Sequence, residues 1–95
     1  MQLVIATVEI EESAVDTART ALTTLAQESR GDTGCLSYEF HQSTESPTTF
    51  RSIETWASAE DLDAHMGQPH VASAIEQLTP HLTAELDIAS YGVDG

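Results

Sequence analysis

Lysine is absent from this 95-residue chain, and its strongly basic side chains are only Arg19, Arg30 and Arg51. These stand against 16 acidic residues, so the formal net charge is -13 at pH 7. Nucleic acids and anionic membranes are bound through lysine and arginine, and therefore neither is an expected partner. The acidic residues are spread along the sequence, which favours solvation in a salty, halophilic cytoplasm over a site for cations or basic ligands.

Cysteine, long apolar runs and cofactor motifs are scarce as well. Cys35 is the only cysteine, so an intramolecular disulfide is excluded, and no CxxC pair is available to bind a metal. The opening residues MQLVIATVEI contain no basic leader and no run long enough to span a membrane, which predicts a soluble cytoplasmic protein. No phosphate-binding glycine loop, dinucleotide fingerprint or GxSxG motif occurs, so we expect no nucleotide or flavin cofactor.

Aromatic residues are too few to fill a large core. A chain of this length buries only roughly 60 to 65% of the surface that its unfolded form exposes, so its own core is thin. The small number of aromatic side chains adds little bulk, which favours an oligomer. They are Tyr38, Phe40, Phe50, Trp56 and Tyr91.

Four segments rich in β-branched, aromatic or alternating apolar residues predict strands at 3–10, 35–42, 48–56 and 82–91. The polar stretch 43–47 predicts a turn, so the second and third strands form a hairpin. The first strand is apolar at nearly every position through Val8, which is typical of a strand covered on both faces. A second copy of the same sheet is the simplest cover, and we predict a homodimer.

Helices are expected between the strands. Ser13 and Ser58 are each followed by an aspartate three residues on, a capping pattern that predicts helix starts, with helix ends near Ser29 and Gly67. A further helical stretch lies between two prolines. The order β-α-β-β-α-β predicts a ferredoxin-like α+β fold, a four-stranded antiparallel sheet with its helices on one face. We expect one domain over residues 1–95.

The residues that can carry chemistry are concentrated in the hairpin and the helix after it. Alternation along the third strand puts Glu54 and Trp56 on one face, and helical spacing gives His65 and Met66 a common face. If the helix covers that strand face, Glu54, Trp56 and His65 line one cavity, with His70 at its mouth. The pattern therefore predicts an aromatic-walled pocket with one imidazole and one carboxylate.

Structural roles remain open for the same residues. An inward histidine on a short helix is commonly a satisfied structural residue, and a tryptophan at a strand end such as Trp56 is commonly core. Glu54 has two further alternatives, a helix cap or an ion pair with Arg51. Sequence alone does not decide between these structural roles and a catalytic one.

A metal site is not expected from the four histidines, His41, His65, His70 and His81. The spacing of His65 and His70 does not suit one helical face, and neither a cysteine nor a dense aspartate cluster completes a ligand set. For Cys35 we favour a small packing residue over a catalytic nucleophile.

The stretch GCLSYEFHQSTESPTTFRSIETWASAEDLDAHMGQPHV closely resembles the central signature of the antibiotic biosynthesis monooxygenase (ABM) domain family. The shared features are a Gly-Cys-Leu-x-Tyr strand, a strand end with Glu and Trp, and a Leu-x-x-His helix followed by Pro-His. The resemblance implies a ferredoxin-like subunit that forms a dimeric α/β barrel with two sheets back to back. Family members include cofactor-free monooxygenases, haem-degrading enzymes and an isomerase. The haem-degrading members use a pocket asparagine, a residue this chain lacks, so we disfavour that activity.

The resemblance and the predicted pocket together favour a cofactor-independent monooxygenase that oxidises a small aromatic or quinol substrate with O2. His65 would deprotonate a phenol, because imidazole is the side chain that titrates nearest neutrality. Glu54 would orient that imidazole and Trp56 would stack on the substrate. The alternative is a non-catalytic or stress-related small-molecule-binding dimer, and an isomerase would need more polar walls. The expected substrate-binding residues are Tyr38, Phe50, Met66 and His70.

Overall fold

Four strands and three helices follow one another along the chain in the order βαββααβ. The computed structural model describes residues 1–94, and Gly95, which the predicted domain includes, lies outside the described residues. Short 3-10 turns occur at Glu12–Ala14 and Thr79–His81. The regular elements are β1 (Gln2–Glu9), α1 (Val15–Ser29), β2 (Cys35–Gln42), β3 (Thr49–Trp56), α2 (Ala59–Met66), α3 (Pro69–Leu78) and β4 (Asp87–Gly92).

The strands form one antiparallel sheet in the order β2-β3-β1-β4. β1 therefore lies inside the sheet between β3 and β4, and its Val4 and Val8 are buried in the core. The predicted ferredoxin-like α+β fold is confirmed. Among the described residues, no helix is long and apolar enough to cross a membrane.

The core lies between the sheet and the helices. Val4 and Val8 of β1 and every second residue of β3 face it, which confirms the predicted alternation of the third strand. Helix α1 contributes a buried stripe that includes Ala18, Leu22 and Leu25, at the spacing of one helical face. Small alanines in that stripe let the helix backbone approach its neighbours closely.

Within residues 1–94, no element packs on the opposite face of the sheet. The register places Leu3 between Thr55 and Tyr91, and Tyr91 and Ile53 are exposed. Exposed apolar side chains on one sheet face are typical of an association surface. The homodimer stays a prediction, and the apolar character of this face is consistent with it.

Two predicted boundaries differ from the structure. Ser13 does not cap α1, because a 3-10 turn precedes that helix and its N-cap residue, Ala14, makes no side-chain cap hydrogen bond. The last strand begins at Asp87 rather than at residue 82, since Leu82 makes only an isolated bridge to Ile10. The apolar residues before β4 pack on the core without a strand ladder. Ser58 does cap α2 as predicted.

The loop between α1 and β2 is fixed by Gly34. This residue has a φ of 79°, in the left-handed region that glycine adopts without steric cost. A Cβ at this position would also clash with the side chain of Asp61, in the first turn of α2. The Gly34 carbonyl accepts a hydrogen bond from the Ala57 N–H at 2.8 Å. The loop is therefore held against the start of α2, and it carries Asp32 to the site.

Candidate active site

A cavity of about 60 Å³ lies between the sheet and the helices. Its walls are almost wholly apolar, and its polar groups belong to Tyr38, Glu54 and His65. Such an apolar pocket with a few convergent polar groups is the usual form of a small-molecule site. The apolar lining residues are Val4, Ala6, Val8, Leu22, Leu25, Phe40, Met66, Val71, Ala74, Ile75, Leu78, Leu86 and Ile88.

His65 lies in the last turn of α2 with only 3% of its surface exposed. Its Nδ1 is 2.8 Å from Oδ2 of Asp32. The imidazole stacks on Trp56 with ring centroids 4.4 Å apart, and the edge of Tyr38 approaches it at 5.5 Å. Because Nδ1 is bound to Asp32, Nε2 is the ring nitrogen left for a ligand in the cavity.

Asp32 is the functional residue that sequence reasoning missed. Its Oδ2 also lies 2.8 Å from Nε2 of His70, so one carboxylate oxygen contacts two imidazoles. The carboxylate is nearly buried. In the sequence, Asp32 is recognisable only as one residue of a loop that contains two glycines. Its position two residues before Gly34, directly ahead of β2, was the one signal available.

Glu54 does not orient His65. Its Oε1 accepts a hydrogen bond from Trp56 Nε1 at 3.0 Å, and its Oε2 accepts one from the Ser52 hydroxyl at 2.6 Å. The Ser52 Oγ in turn accepts the backbone N–H of Ala6 at 3.0 Å. Glu54 therefore bonds its own neighbours on the inner face of β3, and neither a helix cap nor Arg51 is among its described partners. The carboxylate within hydrogen-bond distance of His65 is that of Asp32 and not that of Glu54.

The structure brings together only part of the predicted site. Tyr38, Glu54, His65 and Met66 line the cavity as expected. Trp56 is fully buried beneath His65, so it supports the imidazole instead of presenting a face to a substrate.

Phe50 and His70 are absent from the cavity wall. Phe50 faces a separate shallow groove beside Arg19 and Phe40, because it lies at the far end of β3 from Trp56. His70 lies on the other side of Asp32, where its Nδ1 is 3.7 Å from Glu28 Oε2.

Potential metal-ligand atoms of Asp32, His65 and His70 all lie within 4.8 Å of one another. The sequence offered no cysteine or dense aspartate cluster to complete a ligand set, but the fold brings a single aspartate, Asp32, to the two histidines. The oxygen–nitrogen distances, however, are both 2.8 Å. Two ligand atoms on a tetrahedral zinc ion, each about 2.0 to 2.1 Å from the metal, stand roughly 3.3 Å apart. The contacts of Asp32 with His65 and His70 therefore have the length of hydrogen bonds and are shorter than the separation of two zinc ligands.

Two further acids near the site are held in their neutral forms. Burial, and then the Glu54 carboxylate, raise the pKa of Tyr38 well above its ordinary value, so the phenol can donate a hydrogen bond at neutral pH. Burial raises the pKa of the Cys35 thiol, and Asp32 and Glu54 add to the rise. A thiol with a raised pKa is a poor nucleophile, which supports the packing role predicted for Cys35.

The cavity opens where its lining residues are exposed, at Met66, Ile75 and Ile88. Its volume of about 60 Å³ is small for an aromatic ring. For comparison, an engineered apolar cavity of about 150 Å³ binds benzene. A ring therefore enters only if side chains at the mouth move, and an unbranched methionine is well suited to that movement.

Comparisons with known proteins agree with this architecture. Residues 1–77 match the model of the family described as antibiotic biosynthesis monooxygenase (ABM). The uncharacterized protein sll1783 of Synechocystis is 27% identical over 70 residues, which are 74% of this chain and 48% of that protein. The chain thus spans about half the length of the curated relative it matches.

Solved structures share the fold over the whole chain. A crystal structure of an antibiotic biosynthesis monooxygenase has a TM-score of 0.93 and 23% identity, covering 100% of both chains. A Deinococcus radiodurans protein provisionally given the same name has a TM-score of 0.94 and 26% identity, covering 100% of this chain and 94% of that one. Rv0793 from Mycobacterium tuberculosis has a TM-score of 0.91 and 24% identity, covering 99% and 95%.

Proposed function

The chain belongs to the antibiotic biosynthesis monooxygenase family, and we propose that it is a cofactor-independent monooxygenase that oxidises a small aromatic or quinol substrate with O2. The observation that carries this proposal is the buried His65, whose Nδ1 is fixed by Asp32 while Nε2 is free for a ligand in an apolar cavity. A positioned imidazole in an apolar pocket is an arrangement that can remove a phenolic proton near neutral pH.

The proposed reaction draws its electrons from the substrate. His65 takes the proton of a phenolic hydroxyl on Nε2, and the resulting phenolate is a stronger reductant than the phenol. For a hydroquinone, one oxygen atom enters the ring, the other leaves as water, and the product is a hydroxyquinone. The ring hydroxylation and the quinol oxidation together supply the four electrons that O2 accepts.

The cavity offers two means of stabilising the phenolate. A bare anion in apolar surroundings is costly, but here it forms beside the imidazolium of His65, which attracts it. The neutral Tyr38 hydroxyl is a candidate donor to the phenolate oxygen. The apolar walls favour an aromatic over a sugar-like ligand, which argues against an isomerase acting on such a compound.

A homodimer and a cytoplasmic location belong to the same proposal. The exposed apolar residues on the outer face of the sheet, among them Ile53 and Tyr91, support pairing of two sheets back to back. The cytoplasmic location stays a prediction from the sequence.

A second candidate is a non-catalytic binding dimer. The observation that favours it is that His65 is stacked, buried and hydrogen-bonded, as a structural histidine would be, above a cavity of only about 60 Å³. This candidate requires saturable binding of apolar aromatics, seen as quenching of Trp56 fluorescence, without turnover.

Oxygen uptake by the purified, cofactor-free protein with a panel of hydroquinones separates the two candidates. We expect turnover by the wild type and a loss of about 10²- to 10⁴-fold in His65→Ala, the usual effect of removing a positioned base. His81→Ala is the matched control, since His81 also contacts a carboxylate, Glu11 at 2.7 Å, but on the surface. Equal uptake by His65→Ala would exclude His65 as the base.

A further inference from the structure

We propose that Asp32 and His70 are positioning residues that fix His65 in the tautomer with its proton on Nδ1. This inference rests on the proposed function, because that tautomer leaves Nε2 free to accept the substrate proton. Neither residue lines the cavity. Both would therefore act through His65 and not by contact with substrate.

The shared oxygen determines where the ring protons lie. An ionised carboxylate only accepts hydrogen bonds, so each nitrogen at 2.8 Å from Asp32 Oδ2 must carry a hydrogen. His65 is then protonated on Nδ1 and His70 on Nε2. The two rings are held in opposite tautomers by one oxygen atom, and His65 presents a bare Nε2 to the cavity.

His70 is needed to stabilise the Asp32 carboxylate, because among the described residues no arginine donates a hydrogen bond to it. Arg19 binds Asp16 and Gln42, and Arg30 donates its Nε–H to the Tyr38 carbonyl. A nearly buried carboxylate without donors is costly, so the two imidazole N–H groups stabilise it in this orientation. If His70 is removed, Asp32 keeps a single donor and is free to rotate away from His65.

Two helix ends bring the imidazoles to the same carboxylate. His65 is in the last turn of α2, and His70 is in the first turn of α3. The groups that face His70 are Asp32 from the loop, Glu28 from α1 and the ring of His65. When His65 takes the substrate proton, Asp32 is its counter-ion.

The direct test is ¹⁵N NMR of the histidine rings in the substrate-free protein, which needs no turnover. We expect His65 to be protonated on Nδ1 and bare on Nε2, and His70 to be protonated on Nε2. In Asp32→Asn the side-chain amide can donate to Nδ1, so the proton on His65 should move to Nε2. His81→Gln serves as the control and assigns one of the surface rings.

Turnover measurements complete the test. Holding a catalytic histidine in the wrong tautomer costs up to about 10⁴-fold, so Asp32→Asn should lose 10²- to 10⁴-fold in kcat. Loss of an outer partner costs less, and His70→Gln should lose roughly 10-fold. KM should stay within about twofold in both, because neither side chain lines the cavity.

Three outcomes would overturn the proposal, and each is distinct from failure of the proposed function. One is a His65 ring protonated on Nε2 in the wild type. Another is a folded Asp32→Asn protein in which the tautomer or the kcat is unchanged. The third is a stoichiometric transition metal in the purified protein, because an ion on these atoms would displace both ring protons. If the NMR result holds while no quinol turns over, only the monooxygenase function fails.

Discussion

Replacing Gly34 with alanine tests how the fold delivers Asp32 to the site. At a φ of 79°, an alanine backbone costs about 1 to 2 kcal/mol. The new Cβ would also clash with the Asp61 side chain, including the Cβ of Asp61. Overpacking of this kind typically costs about 1 to 3 kcal/mol. We therefore expect Gly34→Ala to lower the free energy of unfolding by about 2 to 5 kcal/mol.

A double-mutant cycle separates the two contributions. Asp61→Gly removes the clashing atoms, so the cost of Gly34→Ala in that background should fall to the backbone cost of about 1 to 2 kcal/mol. The assay is urea denaturation followed by circular dichroism, where a small domain has a slope of about 1 to 1.5 kcal/mol per molar. The midpoint of the single variant should therefore lie roughly 1.3 to 5 M urea below that of the wild type. A cost below 0.5 kcal/mol, or an equal cost in both backgrounds, would refute this account of the loop.

Three other predictions concern Tyr38, the outer sheet face and the charge. The raised pKa of Tyr38 means that folding stabilises the protonated phenol, so stability is fully present below pH 10 and falls as the pH rises beyond it. In Tyr38→Phe, the unfolding temperature should fall less above pH 10 than in the wild type. An equal fall in both proteins would argue against a raised pKa of Tyr38. Light scattering should give a dimer for the wild type and a monomer for Ile53→Glu, with the exposed Gln27→Glu as control. The unfolding temperature should rise between about 0.1 and 1 M NaCl, because salt screens the net charge of -13, and a flat response would remove the halophilic interpretation.

Sequence patterns were sufficient for the fold and for the inner face of β3. Period-two alternation placed Glu54 and Trp56 inward, and the Ser58 cap of α2 is formed, with Ser58 Oγ accepting from the Asp61 N–H at 3.1 Å. These features depend on neighbours in sequence. The resemblance to the ABM family over the hairpin and α2 is confirmed by the match over residues 1–77.

The polar connections of the site could not be predicted in the same way. Asp32 reaches His65 across 33 positions, through a loop whose path depends on the left-handed Gly34 and on packing against Asp61. Glu54 was expected to bond His65 because both face inward. Its two oxygens are instead satisfied by same-face neighbours two residues away on either side, a choice that side-chain geometry makes after the strand is formed.

The stretch before β4 shows a third limit. Apolar and polar residues alternate from Leu82 to Leu86, as in a strand, but beyond the Ile10–Leu82 bridge they form no ladder. Leu86 instead lines the cavity. Alternation correctly indicated the partial burial of Leu82 and Leu86, but Ala84 between them is exposed, and the hydrogen bonding of a strand is not formed.

The central claim is that this chain inserts one atom of O2 into an aromatic substrate without a cofactor. The most direct measurement is mass spectrometry of the product formed under ¹⁸O2 by metal-free, flavin-free protein with the hydroquinone that turns over fastest. Our account predicts one ¹⁸O atom in each product molecule, the other in water, and loss of the labelled product in His65→Ala. Product oxygen that comes from solvent water, or no oxidation by the wild type with any hydroquinone tested, would contradict it.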